Sequence, residues 1–431
     1  MSAPEPLFLG VRELGRRYRQ TSLSPVEVVQ EALTRIERYD RRLNAWITVM
    51  REEALSQAAQ AERDLRTDRD LGPMHGVPVA LKDNIDTEGV RTTCGARIYR
   101  ERVPDRDATV AARLRLAGAI ILGKTNLLEF AYGVVHPDFG QCNNPWDPQR
   151  TSGGSSSGSA SAVAAGMAFA ALGTDTGGSI RIPAAYCGIV GFKPTYGAVS
   201  RKGVFPLSWT LDHVGPLART VDDAALTFEA IAGADPVDPT SADLPEPSGW
   251  EPHGSLAGRR VGVVAELVGD ELRPGVAAAF DRALAVLREG GASLREVSMP
   301  SIVLAEDALM GTIAAEASSI HEPMLRTHAA DYSEKARTQL EMGATYLAID
   351  YLRAARYRTA LIEEFRTVFR SVDFLVCPTT PHVAPAENPH PGVAGRGRTR
   401  VVRRTGPFNL AGLPAVSVPS GFAEDGMPVG V

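Results

Sequence analysis

The sequence predicts an α/β fold, with helices covering both faces of a largely parallel or mixed sheet. Three observations carry that expectation. Short apolar runs of strand length alternate with stretches of helical periodicity, the connections between them are short, and a clean strand–helix–strand unit follows residue 258. A chain of 431 residues has room for two or three domains, although large α/β enzymes often fold as one unit.

The elements read in order as follows. Ser24-Pro25-Val26-Glu27 is a capping box with proline at the first helical position, and Val29, Ala32, Leu33 and Ile36 then recur at helical spacing. Residues 77–81 (VPVAL) predict a short strand ending at Lys82. A helix is expected over 107–117, a buried strand over 119–122 (AIIL) and a small-residue helix over 159–172. Pro, Gly and Asp cluster over 233–258, which makes that stretch the best linker candidate. Residues 260–265, 274–289 and 293–297 form the strand–helix–strand unit. Long helical patterns follow at about 303–328 and 344–370, with strands at 373–377 and 415–418. There is no internal repeat.

Bulk properties exclude several classes. A net charge of -5 gives no global attraction to nucleic acid or anionic membrane. Cys94, Cys142, Cys187 and Cys377 are scattered without CxxC spacing, which argues against a disulfide framework or zinc site and fits a reducing, cytoplasmic setting. The opening MSAPEPLFLGVRELGRRYRQ lacks the pattern of a signal peptide, and no apolar run is long enough to predict a membrane span. Arg396, Arg398, Arg400, Arg403 and Arg404 crowd together; they read as a clamp for an anionic substrate or an RNA phosphate, or as the solvated loop that charge runs usually form.

Three patterns bear on chemistry, and two mislead. Residues 118–125 (GAIILGKT) match the nucleotide-binding pattern GxxxxGK[ST]. A phosphate cradle needs its middle residues in a loop, with amides aimed at the phosphates. Ala119, Ile120, Ile121 and Leu122 want a buried strand instead, which leaves the glycine and lysine after it with no loop between. Residues 154–158 (GSSSG) match GxSxG around Ser156, but a nucleophile elbow follows an apolar strand, and CNNPWDPQRTSG precedes this one. A flexible Gly/Ser linker fails on position, because an apolar helix begins at once.

The third pattern joins Lys82 in GVPVALKDN, Ser155 in GGSSSGSASAVAAG and Ser179 in GTDTGGSIRIPAAYCGIVGFKPTYG. Ser179 closes a tight TGGS turn. Glycines let backbone amides converge on one point, and converging amides form an oxyanion hole worth about 2.7–4 kcal/mol per donor. A serine there is well placed as nucleophile; a strand-to-helix turn with a capping serine accounts for the same residues. Lys82 is one of only five lysines (with Lys124, Lys193, Lys202 and Lys335) in a chain that prefers arginine. A base must lose its proton, which a buried lysine can do and arginine cannot. Its pKa must fall by roughly three units from about 10.4, at a cost of about 4 kcal/mol, and an apolar strand end supplies that desolvation. A lysine snorkelling beside Asp83 is the plain alternative. None of the eight histidines lies in the serine-rich blocks, and no lysine has serine three residues before it. A serine hydrolase here needs a distant lysine, with Ser155 as the natural relay.

Together these pieces resemble the amidase-signature family. The matching blocks are HGVPVALKDN, GKTNLLEFAYG, NNPWDPQRTSGGSSSGSASAVAAG, LGTDTGGSIRIPAAYCGIVGFKPTYG, LDHVGPLARTVDD and FNLAGLPAVSVPSGF. The resemblance implies Ser179 as nucleophile, Lys82 as terminal base and Ser155, the first serine after the double glycine, as the bridge. It implies a cis Gly154–Ser155 peptide, an oxyanion hole from the amides of Thr176, Gly177, Gly178 and Ser179, and supporting roles for Asp175 and Arg181. It further implies an acyl-enzyme mechanism with no metal and no cofactor. The expected fold is a three-layer α/β/α sandwich around a large mixed β-sheet. One domain is expected to span 1–431, with its signature core at about 75–216 and a surface connection at about 233–258.

Within that resemblance a stand-alone amidase, taking a small-molecule amide, competes with the glutaminase component of a tRNA-dependent amidotransferase. That component's pattern has FDGVRYG after its EASS stretch, whereas Glu316-Ala317-Ser318-Ser319 precedes IHEPMLRTHAADY here. It also carries an aspartate seven residues before the asparagine of NLAG, and Val402 holds that place. Both departures favour the stand-alone enzyme. A catalytically impaired relative with a binding role is the third reading. No nucleic-acid or membrane partner is expected, and a homodimer stays open. In the family, the GMPVGV run at 426–431 opens a strand followed by further chain and a helix. The sequence is therefore expected to be shorter than its fold wants, and to expose apolar surface.

Overall fold

The computed structural model describes residues 5–245, 251, 255–269, 271–387 and 401–431. Its strands are β1 (Trp46–Val49), β2 (Pro78–Lys82), β3 (Ile120–Thr125), β4 (Ala170–Asp175), β5 (Val190–Lys193), β6 (His213–Ala218), β7 (Arg260–Val264), β8 (Ser293–Val297), β9 (Phe374–Val376), β10 (Ala415–Ser417), β11 (Pro419–Phe422) and β12 (Pro428–Gly430). Seven form a mixed sheet in the order β1-β3-β2-β4-β6-β5-β10, in which β2 runs parallel to both β3 and β4 and the other pairs are antiparallel. Helices cover this sheet, which gives the expected α/β/α sandwich.

Strands at the centre of such a sheet are buried on both faces and read as continuous apolar runs. Every residue of β2, β3, β4 and β6 is buried. The capping box at Ser24 forms as expected, with both reciprocal bonds present at the start of the Pro25–Leu43 helix.

Two expectations need correction. The small-residue helix was expected over 159–172, but it spans Ser157–Ala164. Gly166 takes φ +70 and ends it, and the apolar residues beyond become β4. Gly123 and Lys124 were expected after their strand, yet β3 runs through both to Thr125.

β8-β7-β9 form a separate, all-parallel sheet. Beside it the Ala305–His328 and Ala348–Val368 helices build a second core around Leu309, Leu361 and Phe365. The 233–258 stretch begins tightly held: Asp235 accepts from Thr109 (2.7 Å) and Ser200 (2.5 Å), and Asp238 from the Arg201 amide (2.7 Å). Among the described residues no helix is long and apolar enough to cross a membrane.

Candidate active site

Strand pairing builds the floor of the site. β2 and β4 are parallel neighbours, with Leu81 opposite Leu172, so the C-terminal ends of both strands emerge together. Lys82 ends β2 fully buried, and its Nζ lies 2.7 Å from the Thr174 hydroxyl on β4 and 2.8 Å from Ser155 Oγ. Burial pulls its pKa down to about 7, against the opposing pull of the Asp212 and Asp175 carboxylates. Near neutral pH the amine is therefore partly unprotonated, and its lone pair can accept from the Ser155 hydroxyl. The Gly154–Ser155 peptide is cis, and Ser155 is itself buried.

Ser179 sits half-buried in the turn between β4 and the Arg181–Cys187 helix. The structure joins its segment to that of Ser155 through the backbone, where the Ser156 amide donates to the Ser179 carbonyl (3.2 Å). Lys82 and Ser155 are thus in direct side-chain contact. The Ser179 hydroxyl makes no hydrogen bond among the described residues. Of the four amides expected to form an oxyanion hole, those of Thr176, Gly177 and Ser179 make no hydrogen bond to the protein among the described residues. The fourth, of Gly178, donates to the Asp175 carboxylate at 2.7 Å and is already spent. The Gly178 φ of +135 turns its amide that way.

Asp175 and Arg181 brace this turn from behind. Arg181 donates twice to Asp175 (3.0 and 2.9 Å), and also to Asn409 Oδ1 (2.6 Å) and the Thr405 carbonyl (2.9 Å). Asn409 returns a bond to Asp175 Oδ1 (2.8 Å), and the Thr405 hydroxyl donates to the Gly177 carbonyl (2.5 Å). Burial alone would raise the Asp175 carboxyl; the Arg181 guanidinium beside it holds it well below the usual carboxylate range.

Sequence reasoning missed five residues here: Thr174, Asn409, Asp212, Lys193 and His213. Asp212 accepts from the Thr176 hydroxyl (2.6 Å) and from the Leu207 and Ser208 amides (2.8 and 3.0 Å), which ties the turn to the loop before β6. Lys193 is buried 3.2 Å from His213 Nε2, and burial pushes both groups well below their ordinary values. Asn409 lay in the FNLAG block, Thr174 and Lys193 in LGTDTGGSIRIPAAYCGIVGFKPTYG, and Asp212 and His213 in LDHVGPLARTVDD, but nothing in those blocks assigned them to the site.

The misleading motifs resolve physically. Lys124 is buried 3.4 Å from Asp83 and donates to the Ile85 carbonyl (2.5 Å) and Thr92 (2.7 Å), so it is a structural ion pair. Ser156 spends its hydroxyl on the β4 backbone, donating to the Thr174 carbonyl (3.1 Å) and accepting from the Thr174 amide (3.2 Å). Arg396, Arg398 and Arg400 lie outside the described residues. Arg403 pairs with Glu271 (2.9 Å), and the buried Arg404 donates to the Leu267 carbonyl (3.0 Å). Among the described residues no cluster of side chains could hold a metal ion.

Comparison with known proteins follows this geometry. A family model described as Amidase matches residues 27–431. The A subunit of the glutamyl-tRNA(Gln) amidotransferase of Symbiobacterium thermophilum is 43% identical over 459 residues, covering 98% of this chain and 92% of that protein. A solved structure of an unexpected vestigial protein complex, reported to reveal the evolutionary origins of an s-triazine catabolic enzyme, is 34% identical. It superposes with a TM-score of 0.90, over 98% of this chain and 93% of that one. The crystal structure of an amidase gives 36% identity and a TM-score of 0.86, over 98% and 94% of the two chains.

Proposed function

Because the chain belongs to the amidase family, hydrolases that act on carbon–nitrogen bonds, we propose that it is a stand-alone amidase using Ser179, Ser155 and Lys82. Ser179 Oγ attacks the amide carbonyl while its proton passes to Ser155, whose own proton passes to Lys82. The oxyanion is received by the amides of Thr176, Gly177 and Ser179. The proton returns to the leaving amine, and water then cleaves the acyl-enzyme along the same route. The observation that carries this reading is the fully buried Lys82, its pKa near 7, in contact with Ser155 under the Ser179 turn.

The second reading, the glutaminase component of an amidotransferase, is favoured by the name of relatives 41–43% identical. Val402 in place of that component's aspartate, and IHEPMLRTHAADY in place of FDGVRYG, favour the first. Purified protein assayed alone on simple aliphatic and aryl amides, with Ser179→Ala as control, separates the two. Hydrolysis without partners is expected. Glutaminase activity that appears only with tRNA and partner proteins would overturn the stand-alone reading.

A further inference from the structure

Building on the relay proposed above, we infer that Thr174 is a positioning residue: its hydroxyl, turned toward water held in the cavity behind it, keeps the Lys82 lone pair free for Ser155. A charged lysine has three donors and no acceptor; on losing its proton it exchanges one donor for a lone pair. Among the described residues Lys82 Nζ makes two hydrogen-bond contacts, with Ser155 Oγ at 2.8 Å and Thr174 Oγ1 at 2.7 Å. The relay needs the lone pair to face Ser155, so an N–H must face Thr174. Thr174 Oγ1 then accepts, and its own proton must point elsewhere. A Thr174 proton aimed at Lys82 would occupy the lone pair and leave Ser155 without a base.

The far side of Thr174 offers somewhere for that proton to go. Thr174 and Asn84 line a cavity of about 280 Å³ together with Arg201, Trp209, Asp212 and His213. Asn84 is buried, with Nδ2 3.4 Å from Thr174 Oγ1 and 3.5 Å from the Phe205 carbonyl, and its Oδ1 has no hydrogen-bond partner among the described residues. An unpaired buried amide oxygen is costly, and a polar cavity of this size has room for water. Oδ1 and Nδ2 share one carbon, so a single water can accept from the Thr174 hydroxyl and donate to Oδ1. The charged groups of the cavity are otherwise engaged. Arg201 donates to the Trp209 (2.6 Å) and Asp212 (3.2 Å) carbonyls, and the Asp212 carboxylate accepts from Thr176.

The same contact bears on the charge of Lys82. The titratable groups acting on the amine are Asp212, Asp175 and Cys94, and a substitution at Thr174 removes none of them. A hydrogen bond from an ammonium is stronger than one from a neutral amine, so Thr174 favours the charged form.

The test is the pH profile of kcat and kcat/KM on the best simple amide. Wild type is compared with Thr174→Val, Thr174→Ala, Thr174→Ser, Asn84→Leu and Thr174→Val combined with Asn84→Leu. Valine and alanine are each expected to lower the plateau kcat about 10–100-fold with KM within about twofold, and to move the acid limb about one pH unit lower. Thr174→Ser, which keeps the hydroxyl, restores both. Asn84 makes no hydrogen bond to Lys82, Ser155 or Ser179 among the described residues. Asn84→Leu alone is expected to lower kcat severalfold, and to cost nothing further once Thr174 is valine. Wild-type kcat and acid limb in the valine and alanine variants, failure of serine to rescue, or an equal cost of Asn84→Leu in both backgrounds overturns the role of Thr174 and leaves the relay standing. A wild type that hydrolyses no amide removes the relay, and the role of Thr174 with it.

Discussion

In the proposed relay Lys82 has to be neutral to accept a proton, and burial leaves it partly so near pH 7. The acid limb of kcat/KM is expected to rise as pH climbs through about 7, as measured on the best simple amide. Lys82→Arg keeps the charge but cannot release it, and should lower kcat/KM by about 10²–10⁴-fold. The same burial bears on stability. The folded pKa of about 7 lies below the ordinary 10.5, so the contribution of this group is fully present above 10.5 and is lost as pH falls toward 7. Lys82→Met should therefore raise the Tm at pH 7, by the equivalent of roughly 1–4 kcal/mol once the partners left at Ser155 and Thr174 are counted, and the gain should vanish near pH 10.5. Thermal melts at both values measure it. Lys82 was legible because a lone lysine ends an apolar run in an arginine-rich chain. Thr174 was not, because a threonine inside a strand has no local mark, and only the pairing of β2 with β4 brings it to the amine.

At the level of elements, the site is a strand–turn–helix, β4 into the Arg181–Cys187 helix, locked by the Asp175–Arg181 pair. Period alone misread this region. Residues 159–172 are mostly small or apolar, which suits a buried helix and a central strand equally, and Gly166 was the one glycine in the run. The later strand–helix–strand unit was legible because its helix is amphipathic and its strands are short and bounded by turns. The lock itself spans 228 residues from Arg181 to Asn409, a pairing that no local pattern announces. Arg181→Met leaves the Asp175 carboxylate buried without its cation and is expected to cost about 3–5 kcal/mol in urea unfolding. Asn409→Ala, which removes hydrogen bonds but no charge, should cost about 1–3 kcal/mol. Asp175→Asn combined with Arg181→Met should recover part of the larger loss, since no lone charge then remains.

At the scale of the whole molecule, the alternation of elements announced the α/β class, but the order β1-β3-β2-β4-β6-β5-β10 depends on long-range pairing that the sequence does not display. The same pairing leaves β9 and β10 each as the outermost strand of its sheet. Residues of both strands line one groove of about 950 Å³, together with Val286, Leu287 and Phe408. Phe374 is 51% exposed and Val416 46%, so the two edges present apolar side chains as well as unpaired backbone groups, and Val286 of the Pro274–Glu289 helix lining the same groove is 64% exposed. Exposed apolar edges template pairing with other chains, and a charged residue on the edge blunts that tendency. Val416 faces solvent from the middle of β10, so Val416→Lys should change stability by no more than about 0.5 kcal/mol. The substitution is expected to lengthen the lag before aggregation on heating severalfold, followed by light scattering at matched Tm, and to reduce binding of a fluorescent apolar dye. An unchanged lag and unchanged dye binding would show that the groove is not the surface through which the folded protein associates.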